Sequence, residues 1–124
     1  MRAAIFFLVF GLCLGIFAKE YGDKTAVFVK NYDGDTITVD IKDWPPIIGE
    51  DISVRIKGID TPEIKGKDKS LAKKAKELVR SMLQKAHVVE LRNIERDKYF
   101  RILADVYADG QSVSELLISK NLAA

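Results

Sequence analysis

The sequence contains almost no cysteine or histidine, and this scarcity excludes two kinds of protein. Cys13 is the only cysteine among 124 residues and lies in an apolar N-terminal run, so the rest of the chain forms no internal disulfide and must be held together by its core. His87 is the only histidine. It lies at a predicted helix-to-strand junction, where we expect a structural role, and a Ser-His-Asp catalytic set is therefore excluded. Hydrolysis by this chain would have to depend on a metal ion and on electrostatics.

The chain also lacks a strong excess of charge of one sign, since its formal net charge is +2. The distribution is uneven, however, because residues 55–101 contain 14 basic and 7 acidic side chains whereas residues 19–54 contain 4 and 8. A basic block of this kind attracts polyanions, although a solvated helix face accounts for part of it.

The N-terminal segment differs in composition from everything that follows it. Arg2 provides a positive charge, residues 3–18 are uncharged and mostly apolar, and Ala18 is a small residue directly before the polar Lys19. This pattern is typical of a secretory signal peptide and is short for a membrane span. We therefore predict a signal peptide over residues 1–18 of a secreted or periplasmic protein, and an uncleaved N-terminal membrane anchor is the alternative.

The rest of the chain begins with a predicted β-hairpin that carries two acidic residues at its mouth. Residues 25–30 and 35–41 favour two strands, and the Asp-Gly pair between them is typical of a tight turn. Asp33 and Asp35 both lie at this turn. A turn requires only one of them, so turn chemistry leaves the second acid without an explanation.

The third predicted strand covers residues 52–57 and is followed by a short polar segment. Apolar and polar residues alternate along the strand, which places Arg55 on the face opposite the apolar one. The next segment, Asp60–Glu63, has the composition of a capped turn of helix with a proline near its first position. On that interpretation alone the region is a strand-to-helix junction beside a solvated arginine.

A long amphipathic helix follows, with Ser70 as its candidate N-cap. Its apolar stripe at helical spacing consists of Leu71, Ala75, Leu78, Val79, Met82, Leu83 and Ala86. Basic side chains on the other face, among them Lys73 and Lys76, indicate a solvated surface rather than a dedicated DNA track.

The last part of the chain completes the order of elements that predicts the fold. Residues 87–91 and 101–108 favour two further strands, and residues 112–115 form a capping box that opens a helix through Ser119. The order strand, strand, strand, helix, strand, strand, helix is that of an OB-fold. We therefore predict an α+β, mainly β domain over residues 22–124, with a five-stranded OB-fold barrel, a helix between strands three and four, and a C-terminal helix.

Five charged side chains in these segments suit chemistry on phosphate. Asp35, Asp60 and Glu63 offer hard oxygen ligands for calcium or a similar cation. Arg55 and Arg101 offer planar guanidinium groups, which can donate two hydrogen bonds to one phosphate. Fold alone does not give function, so a functional prediction depends on whether these groups meet in space.

Four short motifs stand in the order and approximate spacing of one known family. They are Asp33-Gly34-Asp35-Thr36, Arg55 with Asp60-Thr61-Pro62-Glu63, Asp97-Lys98-Tyr99 with Arg101, and Tyr107-Ala108-Asp109-Gly110. With them, residues 25–123 resemble the thermonuclease, or staphylococcal nuclease-like, family. Each motif is weak alone, and four in register are specific.

The resemblance implies a calcium-dependent phosphodiesterase that cuts DNA and RNA with little base preference. It implies that Asp35 and Asp60 bind calcium through their carboxylates and Thr61 through its carbonyl oxygen. It also implies that Asp33 supports this metal site by contacting the ligands, without binding the ion itself.

The same resemblance assigns the remaining site residues. Glu63 would orient or deprotonate the attacking water, and Arg55 and Arg101 would bind the phosphate and stabilise the charge that builds on it. Lys98 and Tyr99 would contact the nucleotide. We expect a monomer that needs calcium but no small-molecule cofactor, and that meets a membrane only through an uncleaved N-terminal segment.

The sequence departs from the family pattern at two places. Phe100 stands where the family usually has glycine, and we expect this difference to reshape the loop that delivers Arg101. The sequence ends at Ala124, where the best-studied members continue into an aromatic segment and a third helix.

Two other functions are consistent with parts of the pattern. A non-catalytic barrel that binds nucleic acid or protein would need the arginines, but it has no use for carboxylates, which repel phosphate. An exported structural domain with incidental charge would leave the five charged side chains dispersed in space. Retention of the acids together with both arginines favours the nuclease.

Overall fold

Residues 21–63 and 65–124 are described by the computed structural model of the protein. The predicted signal peptide lies outside these ranges. In the part that is described, no helix has the length and apolar character needed to cross a membrane. The strands are β1 (Lys24–Asn31), β2 (Thr36–Asp40), β3 (Ile52–Ile56), β4 (Val89–Arg96), β5 (Ile102–Ala108) and the short β6 (Gln111–Ser112), and the helices are α1 (Pro46–Gly49), α2 (Lys69–Lys85) and α3 (Val113–Ser119).

The first five strands close into a barrel. β1 pairs antiparallel with both β2 and β4, while β2 pairs with β3 and β4 pairs with β5. A parallel pairing of β3 with β5, in which Val54 lies opposite Ile102, completes the ring. α2 connects β3 to β4, and α3 follows the barrel. The predicted five-stranded OB-fold with these two helices is confirmed.

The barrel interior is filled by the apolar side chains of the alternating strands. Ile37 and Val39 on β2 and Val54 and Ile56 on β3 are fully buried. Complete burial of one such side chain contributes about 1.5–3 kcal/mol. An interior of this kind is what holds the domain together, because the described residues contain no cysteine.

α2 packs on the barrel through a stripe that starts one residue later than predicted. Its buried residues are Ala72, Ala75, Val79 and Leu83. Leu71, which the predicted stripe included, is exposed instead. The buried line runs at spacings of three and four residues from Ala72, so Leu71 lies to one side of it.

The two longer helices begin in different ways. Ser70 is not the N-cap of α2, because the helix begins at Lys69 with Asp68 at the cap position and without a side-chain cap bond. In α3 the Ser112 side chain accepts a hydrogen bond from the backbone N–H of Glu115 at 3.2 Å. The predicted helix start at Ser112 is therefore confirmed, whereas the start of α2 depends on packing rather than on a cap.

β4 extends well beyond its predicted end, as far as Arg96. The pairing of β4 with β5 shifts register between Arg92 and Glu95, and Asn93 has a φ of +54°. A bulge of this kind breaks the alternation of apolar residues on which the prediction depended. The extension brings the end of β4 to the connection with β5, next to the motif formed by Asp97-Lys98-Tyr99 and Arg101.

Candidate active site

The turn between β1 and β2 holds two acidic side chains in a buried arrangement. The Asp33 carboxylate accepts hydrogen bonds from the backbone N–H groups of Asp35, at 3.1 Å, and Thr36, at 2.9 Å. Asp33 and Asp35 are only 9 % and 8 % exposed. Burial, and then the neighbouring Asp35 carboxylate, raise the pKa of Asp33. The turn therefore concentrates negative potential where little water can screen it.

The segment after β3 is not the capped turn of helix that its composition predicted. Residues 60–63 are irregular, and the backbone N–H of Thr61 donates to Asp35 Oδ2 at 3.1 Å. This bond to a buried carboxylate replaces a helical bond and draws Thr61 against the hairpin turn. The Thr61 hydroxyl is buried as well and has no hydrogen-bond partner among the residues that the structure describes.

The hairpin turn and the segment after β3 approach so closely that only glycine fits between them. A Cβ atom at Gly34 would lie 2.7 Å from Thr61 Cγ2 and 2.9 Å from the Cβ of Ala75 on α2. Both distances are far below van der Waals contact. The turn, Thr61 and α2 are therefore packed as one unit, which fixes Asp35 relative to Thr61.

Arg55 on β3 lies between the two predicted metal-binding carboxylates. Its Nη1 donates to the carbonyl oxygens of Ile56, at 2.9 Å, and Ile59, at 2.8 Å. Its Nη2 lies 2.5 Å from Asp60 Oδ1 and 3.5 Å from Asp35 Oδ2. The guanidinium is thus anchored by backbone carbonyls and partly buried, in contrast to the solvated arginine of a plain strand-to-helix junction.

A cleft of about 410 Å³ opens where these segments meet. Its lining consists of Tyr32, Asp33, Asp35, Arg55, Asp60, Thr61, Glu63 and Lys65. The cleft thus brings together every residue predicted for the metal site with two of the three predicted catalytic residues, Arg55 and Glu63. Tyr32 and Lys65 were not predicted, and their proximity in sequence to Asp33 and Glu63 was the only available signal.

Arg101 lies outside this acidic cleft. It lines a neighbouring cleft of about 470 Å³, whose wall also contains Arg55 and Asp60. Its Nε donates to Asp97 Oδ2 at 2.9 Å, and its backbone N–H donates to Asp97 Oδ1 at 2.8 Å. That backbone N–H and the one of Tyr99 hold the pKa of Asp97 below its usual range. Arg55 therefore lines both clefts, whereas Arg101 lines only the neighbouring one.

The β4–β5 loop consists of Asp97–Arg101. The side chains between these two residues extend into solvent. Tyr99 is 77 % exposed, and the Nζ atom of Lys98 lies 5.2 Å from the centre of its ring. Phe100 has a φ of +65°. Glycine adopts this conformation without strain, whereas it costs a residue with a Cβ about 1–2 kcal/mol. The phenylalanine thus occupies a backbone position that suits the glycine usual in the family.

The backbone of Asp60 is held by the residues that follow α3. The N–H of Asp60 donates to the carbonyl oxygen of Ala124, and the N–H of Ala124 donates to that of Asp60, both at 3.0 Å. Between α3 and this pair, Asn121 has a φ of +58° and Leu122 is buried. The tail thereby positions a predicted metal ligand, and no local pattern indicates this contact because its partners lie far apart in sequence.

His87 lines neither of the two clefts. Its side chain is almost fully exposed, and its Nδ1 lies 3.7 Å from the Asp109 carboxylate. Its backbone N–H donates to the same carboxylate at 2.9 Å. The contribution of this position to the fold is made by the backbone, at the start of β4.

The acidic cleft offers oxygen atoms of the kind that calcium binds. Within residues 21–63 and 65–124, no three acidic, histidine or cysteine side chains form a ready-made metal-binding group. The Asp60 carboxylate is 86 % exposed and is paired with Arg55. Even so, the carboxylates of Asp35 and Asp60 and the Thr61 carbonyl match the hard-oxygen preference of calcium, and the buried acids at the hairpin turn supply excess negative charge. These residues fit the ion.

Comparison with known protein families identifies the family of the domain. The family model described as staphylococcal nuclease homologue matches residues 53–124, more than half of the chain. The chain belongs to the staphylococcal nuclease family. Three of the four motifs that predicted this family lie within the matched residues, so the predicted resemblance is confirmed. The first motif, at the β1–β2 turn, precedes the match.

Individual relatives of this staphylococcal nuclease homologue include two proteins of Bacillus subtilis (strain 168). SPbeta prophage-derived endonuclease YokF is 42 % identical over 114 residues, which cover 85 % of this chain and 34 % of YokF. Endonuclease YncB is 41 % identical over 100 residues, which cover 73 % of this chain and 43 % of YncB. An uncharacterized 38.1 kDa protein of Capnoides sempervirens is 33 % identical over 78 residues, 62 % of this chain and 22 % of that protein. The chain therefore spans less than half the length of each of these relatives.

Proposed function

We propose that this staphylococcal nuclease homologue is a calcium-dependent nuclease that hydrolyses phosphodiester bonds of DNA and RNA with little sequence preference. The observation that carries the proposal is the acidic cleft, which gathers Asp35, Asp60 and Glu63 around Arg55. Carboxylates alone repel a phosphodiester, so a cleft of this composition serves a nuclease only with a cation bound in it. The relatives YokF and YncB are both named endonucleases.

In this proposal the carboxylates of Asp35 and Asp60 and the carbonyl oxygen of Thr61 hold the calcium ion. Bound there, calcium would act as a Lewis acid that neutralises charge on the phosphoryl oxygens. Asp33 has a supporting role, because its hydrogen bonds to the backbone N–H groups of Asp35 and Thr36 hold the turn that carries Asp35.

The pairing of Arg55 with Asp60 competes with phosphate for Nη2. The Nη1 bonds of Arg55 to the carbonyls of Ile56 and Ile59 keep the guanidinium in place, whereas Nη2 is paired with Asp60. An Asp60 carboxylate turned away from Arg55 leaves Nη2 able to donate to a phosphate oxygen. Such a preorganised donor stabilises the charge that develops in the transition state.

Arg101 contributes from the neighbouring cleft. Its Nε bond to Asp97 holds the side chain by one nitrogen, and the two terminal nitrogens of a guanidinium remain to donate to phosphate. Lys98 and Tyr99, on the same loop, would contact the nucleotide beside that phosphate. The exposure of this loop is suited to a flexible polymer substrate.

Glu63 is the proposed general base. It is exposed at the acidic cleft, and its backbone carbonyl accepts a hydrogen bond from the N–H of Gly66 at 2.9 Å. A carboxylate within reach of a water molecule can orient it and take its proton as it attacks phosphorus.

Digestion of plasmid DNA and of RNA by the purified protein, with calcium or with a chelator, tests the proposed function. We expect both substrates to be cut only when calcium is present. Glu63→Gln purified in parallel should cut at least about a hundredfold more slowly, which controls for contaminating nucleases. Binding without cleavage under every condition would support the non-catalytic barrel instead, and undiminished cleavage in chelator would contradict the calcium requirement.

We further propose that the protein is exported, because residues 1–18 have the composition of a signal peptide. The full chain should be expressed and its mass measured in membrane, soluble intracellular and exported fractions. An exported protein that lacks residues 1–18 is the expected result, and a full-length form in the membrane fraction would indicate the anchor. A full-length protein in the soluble intracellular fraction would contradict export.

A further inference from the structure

The β4–β5 loop is a rigid turn rather than an open connection. The N–H of Asp97 donates to the carbonyl oxygen of Arg101 at 2.9 Å, and the N–H of Phe100 donates to that of Asp97 at 3.0 Å. The Asp97 carboxylate also accepts from the N–H of Tyr99 and from the side chain of Arg101. A loop with this many internal bonds fixes the backbone positions from which its side chains extend.

Phe100 is placed on this loop in a way that benefits the fold very little. The residue is 64 % exposed, so little of its apolar surface is removed from water. Its φ of +65° is unfavourable for a residue with a Cβ atom. The guanidinium carbon of Arg96 lies over the ring, 4.9 Å from its centre. The result is an aromatic ring with a cation on one face and solvent around much of the rest.

The charges around this ring favour a polyanion as the ligand. Among the ion pairs of the described residues, none involves Arg96 or Lys98. Arg101, two residues after Tyr99, borders the cleft that it shares with Arg55. A cationic strip that carries exposed aromatic rings is the arrangement with which proteins hold single-stranded nucleic acid.

We propose that Phe100, backed by Arg96, stacks on an unpaired base next to the phosphate held at the arginines, and that this contact adds to the affinity for single-stranded nucleic acid. Bases inside a duplex are stacked on both faces and cannot offer one without being unstacked, which costs free energy. Every base has a flat face, so the contact adds affinity without sequence preference. This role rests on the proposed nuclease function, because it requires a nucleic acid strand at the clefts, and it specifies the form of that substrate.

Phe100→Gly separates this role from a structural one, because the two roles predict opposite changes in stability. Glycine adopts the left-handed conformation without strain, so the variant should keep or raise the melting temperature. Its affinity for a fluorescent single-stranded DNA oligonucleotide should fall about 5- to 100-fold, the range for loss of one base stack, with a smaller loss for duplex DNA. The unaltered sequence and Phe100→Gly should both be measured with Glu63→Gln added and with calcium present, so that cleavage of the probe is slow compared with the binding measurement.

Two further variants complete the experiment. Phe100→Trp keeps a stacking face and should retain most of the single-strand affinity. Ile47→Ala removes an apolar side chain that is 92 % exposed on α1, and it should leave binding unchanged.

Several results would overturn the stacking role. They are unchanged affinity in Phe100→Gly, equal losses for single strand and duplex, an equal loss in Ile47→Ala, and a lower melting temperature in Phe100→Gly. Each of them leaves the nuclease function standing if the unaltered protein cuts plasmid and RNA. Conversely, a protein that binds single strands through Phe100 but never cleaves would contradict the nuclease function alone.

Discussion

The acidic cleft and the β4–β5 loop lie on either side of Arg55 and Asp60, and they are held in place in opposite ways. The cleft is fixed from behind by close packing, since Gly34 leaves no room for a Cβ atom and Asp35 is buried. The loop is fixed by hydrogen bonds within itself, and its side chains, such as Phe100, extend into solvent. Charges held on a closely packed turn suit chemistry that needs a constant geometry, whereas exposed aromatic and basic groups suit a polymer that must enter and leave.

The largest expected effect tests whether chemistry resides in the acidic cleft. Glu63→Gln keeps an oxygen near the attacking water but removes its basicity, so turnover should fall about a hundredfold or more. Calcium and DNA affinity, measured by calorimetry and fluorescence, should remain close to those of the unaltered protein. Glu50→Gln, an exposed glutamate outside both clefts, is the matched control. Unchanged cleavage by Glu63→Gln would show that another group is the base.

The next effect compares the two arginines, of which Arg55 lines both clefts and Arg101 lines only one. Arg55→Lys and Arg101→Lys should each lose roughly 2–4 kcal/mol of transition-state stabilisation, because lysine keeps the charge but not the planar fork. Only Arg55→Lys should also lower the melting temperature, since only Arg55 bonds to the carbonyls of Ile56 and Ile59. Equal changes in stability would contradict the contrast between a packed cleft and an exposed loop.

A third effect concerns the packing behind the cleft. Gly34→Ala should reduce the free energy of unfolding by about 1–3 kcal/mol, as overpacking does, and should weaken calcium binding because Thr61 is displaced from Asp35. Thr61→Ser removes the atom nearest to the new Cβ, so the double variant should recover part of the lost stability. Additive losses in denaturant unfolding would show that the two positions are not in contact.

A smaller effect is expected from the basic face of α2. Lys73→Ala and Lys76→Ala should weaken DNA binding modestly and reduce its dependence on salt, because the exposed Lys73 and the half-buried Lys76 attract the DNA backbone without touching the reacting phosphate. The measurement is the affinity over a range of salt concentrations. A loss of DNA affinity as large as that of either arginine variant would indicate that DNA binds at the helix rather than at the clefts.

The smallest effect is a pH dependence in the β4–β5 loop. Backbone N–H groups hold the pKa of Asp97 below its ordinary value of 3.8, so the folded state prefers the charged form. Its contribution to stability is therefore complete above 3.8 and is lost as the pH falls through the lower folded-state pKa. The difference in melting temperature between the unaltered protein and Asp97→Asn should be constant near neutral pH and shrink in this acidic range. A difference that widens on acidification would contradict the direction of the pKa shift.

The fold could be predicted from local patterns because the strands alternate so regularly. Ile37 and Val39 alternate with polar residues along β2 and are fully buried, and the order of elements is that of an OB-fold. The parallel pairing of Val54 with Ile102, which closes the barrel, has no local signal because its partners are distant in sequence. The end of β4 was missed because the bulge at Asn93 interrupts the alternation.

The candidate site could be predicted from the sequence where a turn carries more acidic residues than it needs. It could not be predicted where hydrogen bonds of the backbone determine the structure. Asp33 and Asp35 were identified because a turn needs only one of them. The capped turn predicted at Asp60–Glu63 was wrong because the N–H of Thr61 bonds to a buried carboxylate instead. The pairing of Asp60 with the chain after α3 could not be foreseen, since it involves only backbone atoms.

Single-turnover cleavage of one single-stranded oligonucleotide by Glu63→Gln and Phe100→Gly, measured side by side over a range of protein concentrations, tests most directly the division between cleft and loop. Glu63→Gln should lower the rate at saturation and leave the half-saturating concentration unchanged. Phe100→Gly should raise the half-saturating concentration and leave the saturated rate close to that of the unaltered protein. If both variants changed the same parameter, chemistry and substrate binding would not be divided between the acidic cleft and the β4–β5 loop.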